Sequence, residues 1–123
     1  MTKLSNCTTS KTLSDHIVAG MIDKKAFNIS ILDLRELGNS VADFFVICTG
    51  NSNIQIKAIA ESIEKTTWVK NSQKPWRMEG KTGMEWVIID YIDVVAHIFT
   101  QEKRIFYGLD ELWGDANVTK INQ

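Results

Sequence analysis

Few side chains in this 123-residue chain have types and spacing suited to chemistry. Cys48 sits in one apolar run, and His97 alternates with Val95 and Phe99 in another. A thiol and an imidazole make a nucleophile–base pair when they come within hydrogen-bond reach beside a substrate pocket. Asp90 and Asp93 stand at the end of the strand before His97 and in its turn, which makes a His97–aspartate hydrogen bond feasible. The apolar setting of Cys48 favours a small core residue, and His97 reads as a structural or interface histidine. Thr49-Gly50-Asn51-Ser52 lies between a strand and a helix, where backbone N–H groups and the helix dipole can hold a phosphate. Neither the P-loop spacing nor the dinucleotide fingerprint is present, so a tight turn with a helix cap is favoured. No metal site is expected. His16, His97 and two distant cysteines lack zinc-ligand spacing, and Asp90 with Asp93 would need further oxygen ligands for magnesium. No catalytic residue and no cofactor is assigned.

The elements that must position these groups follow from periodicity. Thr12 is expected to cap a first helix, with Asp15 three residues on, and Leu13, Ile17, Val18, Met21 and Ile22 keep helical spacing. Residues 28–34 read as a strand, and residues 35–42 as a connection with the turn signal Gly38-Asn39-Ser40. The apolar run 44–49 reads as a central strand covered on both faces. Ser52 or Asn53 caps a second helix with the stripe Ile56, Ile59, Ala60 and Ile63, ending near Trp68. Trp76 and Met78 alternate with charged neighbours, as in a half-exposed strand, and residues 80–83 turn. Residues 86–91 and 94–100 make an antiparallel hairpin in which Trp86 shares a face with Ile88 and Asp90, opposite Val87 and Ile89. A last helix begins near Glu102 behind a Thr100 cap, Gly108 interrupts or ends it, and residues 109–113 form a separate turn. This order predicts an α/β fold: a single domain with a mixed sheet of about five strands and helices packed on it. The expected boundaries are a flexible segment at 1–11, the domain at 12–115 and a C-terminal tail at 116–123.

A chain of this size with 44% hydrophobic and 24% charged residues can bury a core without staples. Cys7 and Cys48 make no disulfide framework, which fits a reducing compartment. No signal-like apolar core and no run near the length of a membrane span is present, so a cytoplasmic protein without a membrane partner is expected. The net charge of −1 hides an asymmetry: residues 85–115 hold seven acids and two bases, whereas residues 1–84 hold eight acids and eleven bases. An acidic field favours a basic partner surface and repels a bare phosphate backbone. Direct DNA binding is not expected. Lys24-Lys25 and the run from Lys70 to Lys81 add positive charge without an aromatic-basic RNA motif. Trp68 and Trp76 are of a type that stacks on bases, but core or edge packing is the simpler assignment.

Five blocks then occur in a fixed order. They are Asp43-Phe44-Phe45-Val46-Ile47-Cys48-Thr49-Gly50-Asn51-Ser52, Glu79-Gly80, Trp86 through Asp90, Asp93-Val94-Val95-Ala96-His97-Ile98-Phe99, and Tyr107-Gly108-Leu109-Asp110-Glu111-Leu112-Trp113. Across Leu13 to Trp113 the chain resembles the ribosomal silencing factor family, also called Iojap-like. Each block alone is modest, and all of them in this order are highly specific. The resemblance implies a nucleotidyltransferase-like α/β domain without the catalytic signature of those enzymes. It implies binding to the large ribosomal subunit through its fourteenth protein, at the face that meets the small subunit. Joining is thereby blocked, and translation falls when nutrients do. A large-subunit assembly factor without a silencing role is one alternative. A nucleotidyltransferase-like enzyme using Gly50, Ser52 and Asp43 is another, and a homodimer of the free protein stays open. The chain departs from the family pattern at Gly108, where an acidic or polar residue is common, and at the apolar pair Ile105-Phe106. Large aromatics beside carboxylates suit a basic ribosomal protein. The expected partner-binding region is Trp86, Asp90, Tyr91, Asp93, His97, Phe99, Tyr107 and Trp113, with Trp86 and Tyr107 in direct contact. Leu109, Leu112 and Trp113 are expected to pack the last helix on the sheet.

Overall fold

A computed structural model describes residues 9–37 and 41–121. The Gly38-Asn39-Ser40 turn and most of the predicted flexible segment lie outside the described residues. In chain order the elements are α1 (Ser10–Asp23), β1 (Phe27–Asp33), β2 (Phe44–Gly50), α2 (Asn53–Asn71), β3 (Arg77–Glu79), β4 (Trp86–Asp90), β5 (Val94–Thr100), α3 (Gln101–Tyr107), α4 (Leu109–Leu112) and β6 (Asn117–Lys120). The strands form one mixed sheet in the order β3-β4-β5-β2-β1-β6. Only β2 and β5 run parallel; the other neighbours are antiparallel.

The central pair follows from composition. Every residue of β2 is buried, and six of the seven residues of β5 are. Continuous apolar runs of this kind need cover on both sides of the sheet. One face carries Phe44, Val46, Cys48, Val87, Ile89, Ala96 and Ile98 against α1 and α2. The two helices approach closely at Gly20, where an added Cβ would lie 2.9 Å from the Ile63 Cα. The buried Ser62 hydroxyl closes that contact by donating to the Gly20 carbonyl at 2.8 Å. The opposite face carries Leu32, Phe45, Ile47, Val95 and Phe99, with Leu109 from α4.

Three boundaries differ from expectation. The α1 cap is Thr9, whose hydroxyl accepts from the Thr12 N–H at 3.1 Å, so Thr12 lies inside the helix. Both positions carry a hydroxyl, and the apolar stripe that begins at Leu13 does not choose between them. Helix α2 runs on to Asn71, past Trp68, and stops where Ser72 turns left-handed at φ 53°. The predicted tail contains a sixth strand: Asn117–Lys120 pairs with β1 in the register Ser30↔Lys120 to Asp33↔Asn117. All four of its side chains are exposed, so no apolar alternation announces it. Its backbone is recruited by the unpaired edge of β1.

Candidate functional site

The parallel register decides first what is not assembled. Ile47 pairs with His97, and Cys48 pairs with Ile98. That one-residue offset sends the Cys48 thiol into the helix-covered core and His97 to the opposite face. Among the described residues no thiol–imidazole pair forms. Burial pushes the Cys48 thiol pKa up, which suits an inert core residue. The Gly50 turn is likewise occupied by structure. Ser52 caps α2 by accepting from the Gln55 N–H at 3.1 Å, and the Gln55 side chain accepts from the Asn51 N–H at 2.6 Å. A Cβ on Gly50 would meet the Ile56 side chain at 2.9 Å, so glycine lets β2 and α2 close together. Among the described residues, no group of three or more histidines, cysteines or carboxylates could hold a metal ion.

The sheet face away from α1 and α2 instead gathers aromatic rings. Hairpin β4–β5 pairs Trp86 with Phe99 and Ile88 with His97. Trp86 stacks on Phe99 at a centroid distance of 4.9 Å and meets Tyr107 of α3 at 4.4 Å. His97 packs edge-on to Phe45 at 4.8 Å, and Phe45 meets Trp113 at 5.7 Å. Phe106 continues the chain of rings beyond Tyr107 at 5.1 Å. The Trp86 indole N–H donates to His97 Nδ1 at 3.1 Å. His97 Nε2 is buried without a hydrogen-bond partner. Burial therefore lowers the His97 pKa to about 4 and keeps the ring neutral.

Five of the eight expected contact residues, Trp86, His97, Phe99, Tyr107 and Trp113, meet in this array, and three do not. Tyr91 is a correction. It follows the alternation of Val87 and Ile89 into the helix-side core, where its hydroxyl and Thr67 Oγ1 lie 2.8 Å apart. Burial pushes its pKa up to about 12. Asp90 and Asp93 stand at the far end of the hairpin, roughly 13 Å from Trp86 by the rise of an extended strand. Asp90 Oδ1 accepts from the Ile92 N–H at 2.7 Å, and its other oxygen lies 3.5 Å from Arg77. The feasible His97–Asp90 hydrogen bond is thus replaced by a turn contact. That contact steadies Ile92, a β-branched residue held at φ 76°. Phe99 is fully buried and His97 is nearly so, so both support the array from beneath.

The outward part of the array was not anticipated. Helix α3 has no buried residue, and Ile105, Phe106 and Leu112 are each more than 70% exposed. Tyr107 is 46% exposed, and Trp86 is half-buried. The signal was present in the sequence. Three consecutive apolar residues on a helix span about 200° and cannot all face one core. Leu109 and Trp113 do pack on the sheet as expected, whereas Leu112 points outward.

Polar bonds hold this arm where burial does not. Arg104 Nε and Nη2 donate to the two carboxylate oxygens of Asp110 at 3.2 and 2.9 Å. Its Nη1 donates to Thr49 Oγ1 at 3.0 Å and to the Asn28 carbonyl, and its Nη2 reaches Ser30 Oγ at 3.4 Å. One guanidinium thus ties α3 and α4 to β1 and β2. Burial alone would raise the Asp110 pKa, but the Arg104 hydrogen bonds and charge outweigh it and leave the carboxyl below its ordinary value. Gly108 permits the bend between the two helices at φ 58°. Glu102, Glu111 and Asp115 of the same segment are exposed, and the Lys103 ammonium lies 5.5 Å from the Phe106 ring centre.

A family model described as "Ribosomal silencing factor during starvation" matches residues 8–123. A ribosomal silencing factor RsfS from Halalkalibacterium halodurans is 39% identical over 80% of this chain and 83% of its own. One from Bacillus subtilis is 38% identical over 91% of this chain and 93% of its own. A crystal structure of a Chromobacterium violaceum protein superposes with a TM-score of 0.81 at 30% identity, covering 87% of this chain and 88% of the other. The agreement in both sequence and fold, across nearly every described residue, places this chain in the ribosomal silencing factor family.

Proposed function

We propose that the chain docks on the large ribosomal subunit, through the fourteenth protein of that subunit, and blocks joining of the small subunit. Translation is thereby repressed when nutrients are limiting, in the cytoplasm. The observation that carries this reading is the aromatic array with its exposed tip. Ile105, Phe106, Tyr107 and Leu112 form an apolar surface that water does not favour. The excess of acids over bases in residues 85–115, seven against two, complements a basic protein and opposes bare RNA. Rigid rings already stacked on one another lose little freedom on binding, which is what an interface anchor requires. Membership of the family supports the same partner. No chemistry is needed: a body of this size on the joining face acts by occupying it.

Co-sedimentation of the purified chain with separated ribosomal subunits tests this. Binding to large subunits, little binding to small ones, and fewer joined particles are expected. Affinity should also fall as salt rises. Equal recovery with both subunits, or undiminished joining at saturating protein, would sink the proposal.

A further inference from the structure

Two tryptophans stand apart from the aromatic array. Trp68, near the end of α2, is 53% exposed, and Trp76, just before β3, is 65% exposed. The core or edge packing expected for them from sequence does not occur. Both line a groove of about 680 Å³ between α2 and the β3 edge, on the helix side of the sheet. Lys65, Lys74 and Arg77 share its walls, as do Glu61 and Glu64. The Lys74 ammonium lies 5.0 Å from the Trp68 ring centre, and the Arg77 guanidinium lies 5.1 Å from that of Trp76. By the rise of a helix, Glu61 sits roughly 10 Å along α2 from Trp68 and Glu64 roughly 6 Å, one turn away and next to Lys65, so an acid as well as a base borders the tryptophan pair. From Asn53 to Lys81 six bases outnumber three acids, whereas residues 85–115 carry seven acids and two bases. Within the groove Arg77 is engaged by Glu79 at 3.1 Å and by Asp90 at 3.5 Å, which leaves Lys65 and Lys74 as its cations for a ligand.

We infer that this groove binds single-stranded RNA. The indoles offer flat faces for two bases, and Lys65 and Lys74 meet the phosphates. Exposed aromatics beside cations are the combination that single strands require. Every base has a face to stack, and the backbone brings a charge with each nucleotide. A duplex keeps its bases stacked inside and gains only the charge. An acidic peptide would use the lysines and leave both indoles unpaired. The inference stands on the groove and does not depend on the aromatic face docking where proposed.

The test uses the full chain and a fluorescein-labelled, mixed-sequence RNA of about 12 nucleotides, a length within the range one small domain covers. Fluorescence anisotropy should rise with added protein at low salt, and tryptophan emission should fall. Trp68→Ala and Trp76→Ala should each weaken binding about tenfold, the size of one lost stack. Trp76→Tyr should keep most of the affinity. Lys74→Gln should lower the slope of log affinity against log salt by about one. Thermal melts of each variant separate lost binding from lost fold, and the exposure of both rings predicts small changes there. Unchanged affinity in both alanine variants would overturn the inference, because binding by charge alone needs no ring. Equal affinity for a duplex of the same sequence, or no anisotropy change at all, would overturn it as well.

Discussion

On one face of the sheet, α1 and α2 lay Leu13, Ile17, Met21, Ile56, Ile59 and Ile63 onto the strands, all at 2% exposure or less. On the other face, α3 buries nothing and α4 buries only Leu109. The first pair of helices is held by desolvated apolar area, and the second by the hydrogen bonds of Arg104 together with the few contacts of Tyr107, Leu109 and Trp113. A helix held by burial has spent its apolar face on the core. A helix held by a polar latch keeps that face for something else, and here it carries Ile105, Phe106, Tyr107 and Leu112. Buried apolar area is therefore concentrated on one side of the sheet, and the exposed apolar side chains of α3 and α4 lie on the other.

The largest test of that division lies on the helix-covered face. Ile63→Ala should cost roughly 2–5 kcal/mol of fold stability, as for other buried large-to-small changes. Ribosome binding per folded molecule should stay unchanged. Urea unfolding with co-sedimentation reads both, and a matching drop in affinity would show that the two faces are coupled.

Acid should strike the aromatic face next. His97 has a folded pKa of about 4 against an ordinary 6.5. The unfolded chain therefore takes up the proton first as pH falls. Stability is fully present above about pH 6.5 and is lost through the interval down to about pH 4. The full shift corresponds to roughly 3 kcal/mol. Comparing His97→Phe with the parent isolates this group from the carboxylates, and the difference in stability between them should change across that interval. A constant difference would mean that the imidazole is solvated in the folded protein.

The latch itself comes third. Arg104→Met should weaken docking about tenfold, the loss of a modest interface contact, with a stability cost of about 1–2 kcal/mol for the charged hydrogen bonds. Arg104→Lys should not restore docking, because one ammonium cannot reproduce the two-pronged contact with Asp110. If docking survives both changes, α3 is positioned by something other than this guanidinium. The smallest effect is expected at Cys48→Ala: about 1 kcal/mol of packing and no change in docking. Loss of docking in that variant, with the fold intact, would give the thiol a role that its burial argues against.

The central strands, the second helix with a cap at Ser52 or Asn53, the hairpin and the break at Gly108 were all legible, because each rests on local periodicity or a backbone-permissive residue. Alternation along β4 also placed Trp86 opposite Val87 and Ile89. Extended by one step, the same rule puts Tyr91 in the core, where it is found. Thr9 was missed because adjacent hydroxyl residues compete for one cap. Strand β6 was missed because its pairing uses backbone groups that the sequence does not display. Asp90 and Asp93 were grouped with the aromatics because all lie close in sequence, yet the length of a strand separates them.

What the sequence determined by itself is therefore the set of elements, the two-faced pattern of the strands and the family blocks. Local spacing encodes these through side-chain period and turn chemistry. Only the tertiary structure decided which residues meet. The β2–β5 register put Cys48 and His97 on opposite faces. Arg104, which carries no pattern of its own, was brought from α3 to Asn28, Ser30 and Thr49 on two distant strands. Trp68 and Trp76 were left exposed, on the last turns of α2 and just before the edge strand β3. Register, reach and cover are relations between segments, and no segment holds them alone.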